Sequence, residues 1–252
     1  MPNFRNFLVN NLSFITKFYS YNRYRRNLWI LNKSTTIEQG SLVLDVGAGS
    51  SPHREKFKHC KYLSHDFVQL KKEQLEDGMG YSKIDIVSDI LNIPLSDGSV
   101  DVILCTEVIE HVKYPILVIE QFTRLLKSKG VLLLTAPLAS GLHQDPYHFY
   151  GGFTKYWYHE FLETNNFDII EIVPNGSLYL TFMSHGHTMY KKWFKAIYSS
   201  DIHLSVRIIS IFLSIIMFFP FLILLPLFAW FLDKVMPESD FTTGYHIMAI
   251  KR

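Results

Sequence analysis

The segment LVLDVGAGSSPH, which begins at Leu42, combines an acidic residue with a glycine-rich turn. Its apolar run reads as a buried strand that ends near Asp45. Gly47 and Gly49 then allow a tight turn and let the backbone approach a ligand without a Cβ clash. Because open α/β sheets bind ligands at the carboxyl ends of their strands, the segment predicts a small-molecule site. A strand-to-helix turn that holds no ligand is the alternative.

Polar residues follow three further apolar runs. Asp66 ends the second run, where a carboxylate can accept hydrogen bonds from a ribose diol. Asp89 ends the third and offers an acceptor for an exocyclic amine, with Ile90 beside it as apolar surface for a purine. Thr106 and Glu107 end the fourth, where the reactive end of a bound cofactor is expected. Together these positions predict a nucleotide-containing ligand.

The chain resembles the class I S-adenosylmethionine-dependent methyltransferases, in the branch with small-molecule, lipid or sugar acceptors. The stretches that carry the resemblance are LDVGAGSS, YLSHD, SDILNIPLSDGSVDVILCTEVIEHV and GVLLLTAP, in family order from Leu42 to Pro137. The run from Asp89 to His111 is the most specific of them. A dinucleotide-binding oxidoreductase is the rival, but its G-x-G-x-x-G pattern needs glycine where Pro52 stands.

The resemblance implies a cofactor, S-adenosylmethionine, and a role for each cofactor-binding residue. Asp45, Gly47 and Gly49 would hold its amino-acid end, and a larger residue at 47 would enter the cofactor's space. The ribose would contact Asp66, the adenine Asp89 and Ile90, and the methionine moiety Thr106 and Glu107. The family often has a third glycine where Ser51 stands, which a small serine should replace.

Methyl transfer to a hydroxyl benefits from a general base. The segment PLASGLHQDPYHFYGGFT follows the fifth predicted strand, and its His143 and His148 are the candidate catalytic bases. The alternative is that they only hydrogen-bond the loop to the next helix. His111 stands where the family motif has a structural histidine. The spacing of histidine, cysteine and acidic residues along the chain predicts no metal.

The predicted fold class is α/β: a Rossmann-like, doubly wound, seven-stranded sheet whose last strand is antiparallel. Helices alternate with strands, which is typical of such sheets. Periodicity and turn signals predict a helix near Pro52, helices at Tyr114–Leu126 and Thr154–Asn165, and strands at Phe167–Val173 and Tyr245–Ile250. The last two strands fit the antiparallel hairpin with which the resembled family ends. Three regions are expected: a helical cap at 1–40, a cofactor domain at 41–175 and 241–252, and an apolar insertion at 176–240.

The insertion contains a nearly unbroken apolar run, Leu204–Leu232, long enough for one membrane crossing. A single crossing would separate the last strand from its sheet, so we expect a helical hairpin bent at Pro220 and Pro226 that makes a peripheral or re-entrant membrane contact. The basic residues Lys191, Lys192, Lys195 and Arg207 could meet lipid phosphates. A buried helical subdomain or a homodimer interface is the alternative.

Net charge, cysteine content and the N-terminal segment limit the kinds of function that the protein can have. The formal charge of +2 gives no global field for nucleic acid, so no nucleic-acid partner is expected. Two cysteines make neither a disulfide framework nor a CxxC pair, and the N-terminus lacks the features of a secretory signal. The sequence therefore predicts a cytoplasmic methyltransferase at the inner face of a membrane, acting on a lipid, quinone or lipid-linked glycan. A catalytically inactive, membrane-associated scaffold that binds the cofactor is the alternative.

Overall fold

The computed structural model describes residues 20–75, 80–198, 202–236 and 240–252 of the chain. Within them the chain divides into two compact units. The sheet unit comprises Arg26–Asn175 and Gly244–Arg252, and the helical unit comprises Gly176–Thr243 with the described residues before Arg26. Residues 1–19 of the expected helical cap, which include the basic residues Arg5 and Lys17, lie outside the described residues.

The sheet unit contains seven strands in the order β3-β2-β1-β4-β5-β7-β6. Their bounds are β1 Leu42–Val46, β2 Lys61–Asp66, β3 Ile86–Val87, β4 Val100–Thr106, β5 Leu126–Pro137, β6 Phe167–Pro174 and β7 Gly244–Lys251. Strands β1 to β5 pair in parallel, whereas β7 runs antiparallel to both β5 and β6. The predicted Rossmann-like fold with an antiparallel last strand is confirmed.

Two apolar layers pack on the faces of the sheet, and the alternation of side chains along a strand decides which residue enters which layer. In β4, Ile103 and Cys105 enter one layer and Val102 and Leu104 the other. The first layer takes in helices α2 (Pro115–Leu125) and α3 (Lys155–Thr164), and the second includes Trp29 and Ile30 of helix α1 (Tyr21–Ser34). The order of strands reverses between β1 and β4, so a crevice opens beyond their carboxyl ends.

The prediction of a helix near Pro52 is wrong. Only a short 3-10 turn, Arg54–Phe57, follows the glycine loop. A periodic apolar pattern is absent from SPHREKFKHC, so proline at the start of a run was insufficient as a helix signal. Helices α2 and α3 fall within one residue of their predicted bounds at each end.

The helical unit differs in detail from the expected hairpin. Leu204–Leu232 does not bend back on itself: α5 (Leu204–Phe219), a π turn (Pro220–Leu224) and α6 (Leu225–Val235) form one continuous helical stretch. Pro220 begins the π turn. The wider turn accommodates a residue that has no N–H to donate, so the helix continues in the same direction. The partner helix is instead α4 (Leu178–Ile197), which the sequence reading did not identify.

Candidate active site

A cleft of about 1070 Å³ opens at the carboxyl ends of the parallel strands in the sheet unit. Small-molecule sites span roughly 300–1,000 Å³, so the cleft has room for a cofactor and a second ligand. All eight predicted cofactor residues line it: Asp45, Gly47, Gly49, Asp66, Asp89, Ile90, Thr106 and Glu107. The topology therefore brings together residues that the sequence placed on four separate strands.

The glycine loop is fixed by backbone geometry that favours glycine. Gly47 has φ +72°, and the N–H groups of Gly47 and Ala48 both donate to the His65 carbonyl, at 2.9 Å each. A Cβ at position 47 would lie 2.4 Å from Cγ2 of Val108. The first obstacle to a larger residue is thus Val108, and intrusion of that residue into the cofactor's space stays a prediction.

Ser51 explains how the loop works without a third glycine. Its φ is +54°, in the left-handed region that glycine adopts most easily. The Ser51 hydroxyl lies 2.7 Å from that of Ser82, and the side chain is buried. This hydrogen bond helps to hold a conformation that is unfavourable for serine.

Asp66 links the glycine loop to the end of β2. Its Oδ2 accepts from Gly49 N–H at 3.0 Å and its Oδ1 from Val68 N–H at 2.9 Å. Each carboxylate oxygen has a second lone pair, so ribose hydroxyls can still be accommodated. Asp66 consequently shapes the loop as well as facing the cleft.

Asp45 is buried, and its carboxylate accepts a hydrogen bond from the Tyr62 hydroxyl. Burial raises the pKa of Asp45 to about 7, although the Tyr62 hydrogen bond opposes the rise. The Arg54 guanidinium lies 4.6 Å from the Tyr62 ring centroid. Tyr62 is a residue that sequence reasoning missed, because in sequence it is one apolar residue of a strand.

Asp89 and the two residues after it form the wall of the cleft beyond β3. The Asp89 Oδ1 accepts from Leu91 N–H at 2.8 Å and caps the 3-10 turn Ile90–Asn92. One carboxylate oxygen is thereby oriented by the turn. Ile90 and Leu91 place apolar side chains in the same wall.

Glu107 has φ +55°, an unusual conformation that active-site residues often adopt. Its Oε1 accepts from the Thr135 hydroxyl at 2.8 Å, and its Oε2 lies 3.3 Å from Nη1 of Arg26. Arg26 is buried and lines the cleft. The sequence reading missed Arg26 as a site residue because it is one of several basic residues in an N-terminal helix.

The loop after β5 is held on both sides of the cleft. The Tyr147 hydroxyl donates to Gln69 Oε1 at 3.0 Å, and Gln74 Nε2 donates to the Asp145 carbonyl at 2.7 Å. The N–H groups of Phe149 and Tyr150 donate to the Glu110 carbonyl at 3.0 and 3.1 Å. The loop therefore lies against the segments that follow β2 and β4.

The two candidate bases take different positions. His143 lines the cleft, whereas His148 does not, and the Nε2 of His148 is 3.0 Å from the Ser140 hydroxyl. Their ring centroids are 4.5 Å apart. Burial lowers the pKa of His148, and the neighbouring His143 lowers it further. Both stay candidates for the base, with His143 the better placed.

His111 joins these two histidines. Its ring centroid lies 4.7 Å from that of His143 and 5.5 Å from that of His148. Burial lowers the pKa of His111 to about 4, while its hydrogen bond to the Tyr147 carbonyl opposes the shift. His111 is thus neutral at physiological pH.

Comparison with known proteins identifies the domain. Residues 44–134 match the family model described as a methyltransferase domain. The chain contains a class I S-adenosylmethionine-dependent methyltransferase domain. S-adenosylmethionine is the cofactor of this family, and the matched residues include all eight predicted cofactor positions.

The methyltransferase fold extends beyond the matched residues. A candidate sarcosine dimethylglycine methyltransferase from Galdieria sulphuraria is 15% identical, with a TM-score of 0.54 over 90% of this chain and 85% of that one. Phosphoethanolamine N-methyltransferase 2 of Haemonchus contortus, solved with S-adenosyl-L-methionine, is 15% identical, with a TM-score of 0.51 over 100% of this chain and 60% of that one. At these identities the likeness shows the fold alone.

A similar sequence is an uncharacterized protein of Methanocaldococcus jannaschii, 28% identical over 154 residues. The alignment covers 60% of this chain and 64% of that protein's length. The chain therefore spans less than two thirds of that relative's length.

Proposed function

We propose that this protein is a membrane-associated methyltransferase that transfers the methyl group of S-adenosylmethionine to a lipid, a quinone or a lipid-linked glycan. The observation that carries the proposal is the apolar surface of the helical unit. The methyltransferase domain defines the type of reaction, and the apolar helical unit indicates that the acceptor lies in a membrane.

The helical unit contains an antiparallel helical hairpin. Gly186 of α4 faces Leu225 and Phe221, and a Cβ at Gly186 would lie 2.9 Å from Cδ2 of Leu225. One turn further along α4, the Tyr190 hydroxyl donates to the Ser214 carbonyl at 3.0 Å. As α4 advances, its contacts on the other helix move backwards, so the chain goes out along α4 and returns along α5 and α6. A small residue and an interhelical hydrogen bond are typical of helix pairs in lipid.

Apolar side chains cover the outside of this hairpin. The stretch Leu204–Val235 is long and apolar enough to cross a membrane, and only 6% of its most apolar window of 18 residues is buried. Phe212 and Ile215 are 64% and 68% exposed. Contiguous apolar surface of this kind on a water-soluble protein would favour aggregation, whereas lipid removes it from water.

Basic and aromatic residues flank the apolar stretch. Arg207 lies in the first turn of α5, at the start of the stretch, and Lys191, Lys192 and Lys195 lie near the same turn of the hairpin, toward the end of α4. At the other end, the Lys234 ammonium lies 3.8 Å from the Trp230 ring centroid. Such residues prefer the interface between hydrocarbon and headgroups, where the ammonium groups meet phosphate.

The hairpin leaves and rejoins the sheet unit at neighbouring points. Pro174 of β6 pairs with Tyr245 of β7, and Asn175 N–H donates to the Gly244 carbonyl at 2.8 Å. Both ends of the inserted segment therefore belong on one side of the membrane. Two free cysteines, Cys60 and Cys105, favour the reducing cytoplasmic side.

The test is a transfer assay with S-adenosylmethionine labelled on its methyl group and membranes as the acceptor source. We expect label in the organic-soluble fraction, and mass spectrometry of that fraction to identify the acceptor. Phe212→Asp with Ile215→Asp should reduce this transfer strongly while binding of S-adenosylhomocysteine is unchanged. Full-rate transfer to a soluble acceptor by the double variant would refute membrane action.

Two other outcomes decide between the alternatives. Cofactor binding without transfer to any membrane fraction would support the inactive scaffold. A doubled mass in detergent-free buffer, without binding to vesicles, would show that the apolar face is a homodimer interface instead.

A further inference from the structure

Glu110 is a buried acid at the base of the cleft, just beyond β4. Its side chain is 1% exposed, and its Oε2 has no hydrogen-bond partner among the described residues. Its neighbour Glu107 is already bound by Arg26 and Thr135. A buried carboxylate oxygen without a partner is costly, so it calls for a proton or a cation.

His111 is oriented toward this acid. Its Nδ1 lies 2.7 Å from the Tyr147 carbonyl, which assigns the proton to Nδ1 and leaves the lone pair on Nε2. That Nε2 lies 3.7 Å from Oε1 of Glu110. Histidines that bind metals are commonly fixed in this way, with one nitrogen donating to a carbonyl and the other free for the ion.

His143 completes the group from the loop after β5. Its Nδ1 lies 2.8 Å from the Gly141 carbonyl, so by the same reasoning its Nε2 carries a lone pair. One ligand atom each from Glu110, His111 and His143 lies within 4.8 Å of the others. His143 is exposed on its loop and can move closer.

We propose that Glu110, His111 and His143 bind one divalent transition-metal ion of the zinc class. Two imidazoles and one carboxylate suit zinc and leave a fourth position open. Ligand atoms around a tetrahedral zinc ion lie about 3.4 Å apart. Glu110 Oε1 and His111 Nε2, at 3.7 Å, are already close to this separation, so His143 is the ligand that has to move toward the other two.

The proposal replaces the expectation from the sequence that no metal binds. It also assigns His143 to the ion in place of its candidate role as the base, because a nitrogen that binds a metal cannot accept a proton. That expectation used spacing along the chain, and His111 and His143 lie on separate segments that meet only in the fold. His148 is beside the site, with its ring centroid 4.5 Å from that of His143, but it does not line the cleft.

The role of the ion rests on the proposed function. Its three ligands line the same cleft as Thr106 and Glu107, so the open position is available to an acceptor hydroxyl. The ion lowers the pKa of that hydroxyl, and the proton leaves to water. The oxygen then bonds to the methyl carbon as the carbon–sulfur bond breaks, its electron pair stays on sulfur, and S-adenosylhomocysteine is released.

The test measures metal binding directly on the full-length protein without a histidine tag. After removal of metals with a chelator, Zn²⁺ is titrated by calorimetry and Co²⁺ by its visible absorption. We expect one ion per chain, a tetrahedral Co²⁺ spectrum, and at least a tenfold loss of affinity in His143→Ala, in line with roughly 10–100-fold effects even of outer-shell changes. Glu110→Gln should lose affinity as well.

His159→Ala is the matched control, because His159 is an exposed histidine of the sheet unit that pairs with Glu163 at 2.8 Å, outside the cluster. It should bind Zn²⁺ like the unaltered protein. Equal Zn²⁺ affinity in His143→Ala and the unaltered protein would overturn the proposal, as would no binding at all.

Titration with S-adenosylhomocysteine separates this failure from failure of the proposed function. Binding of S-adenosylhomocysteine without Zn²⁺ binding refutes the metal site and leaves the methyltransferase in place. Zn²⁺ binding without any membrane-dependent transfer leaves the metal site and refutes the proposed function.

Discussion

The sheet unit and the helical unit use the same kinds of apolar residue in opposite ways. Ile103 and Leu104 of β4 are fully buried between the sheet and its two layers, whereas Phe212 and Ile215 of α5 are mostly exposed. In the sheet unit, the apolar residues fill the two layers, and the polar residues at the carboxyl ends of the strands line the cleft. In the helical unit, the exposed apolar surface itself is the functional feature that we propose.

The largest effect should come from a substitution in the glycine loop. Gly47→Ala places a Cβ 2.4 Å from Val108 at a residue with φ +72°, so the loop must shift. We expect binding of S-adenosylhomocysteine to fall below detection by calorimetry, with binding to vesicles retained. Gly141→Ala is the control, since a Cβ there meets nothing within 4 Å. Normal binding by Gly47→Ala would refute the loop assignment.

The second prediction makes the converse change in the helical unit. Phe212→Asp with Ile215→Asp should lower partitioning into anionic lipid vesicles by on the order of 100-fold or more, because burying each side chain contributes about 1.5–3 kcal/mol. Cofactor affinity should not change. The same substitutions at Leu142 and Tyr156, exposed residues of the sheet unit, should leave partitioning unaltered. A vesicle flotation assay that found equal partitioning in all variants would contradict the comparison.

The third prediction concerns Asp66 at the end of β2. Asp66→Ala removes the acceptor expected for the ribose and also releases Gly49 N–H and Val68 N–H. Affinity for S-adenosylhomocysteine should fall by about 1–3 kcal/mol, the usual loss for a hydrogen-bonded charged group. Asp97→Ala, at an exposed acid paired with Arg124, is the control. Unchanged affinity in Asp66→Ala would place the ribose elsewhere.

The last prediction is a pH dependence from Asp45. Because its pKa is raised from 3.8 to about 7, the folded protein without cofactor binds a proton that the unfolded chain releases. Stability should therefore decrease as the pH rises from about 4 to 7. Ionised Asp45 favours the ammonium group of the cofactor, so affinity should rise as the pH passes through 7. Calorimetry and thermal unfolding of Asp45→Asn should show both slopes reduced; unchanged slopes would assign them to other groups.

The sequence predicted the sheet well because each strand combines an apolar run with a polar residue at its end. Asp45, Asp66, Asp89 and Thr106 each mark the end of such a run, and family order relates them to a shared ligand. All eight predicted cofactor residues line one cleft, although their contacts with the cofactor remain predictions.

The remaining features depend on contacts between distant segments, which local patterns do not encode. Helix α4 was missed because its histidines and lysines interrupt the apolar pattern, and it is completed only by packing of Gly186 and Tyr190 against α5 and α6. Arg26 and Glu110 were missed because their burial beside the cleft arises only in the fold.

Calorimetric titration of the purified protein with S-adenosylhomocysteine, alongside NADH, tests the central claim most directly. The account predicts one S-adenosylhomocysteine bound per chain, loss of that binding in Gly47→Ala, and no binding of NADH. Binding of NADH instead, or of neither ligand by a folded sample, would contradict the assignment of the cleft to S-adenosylmethionine.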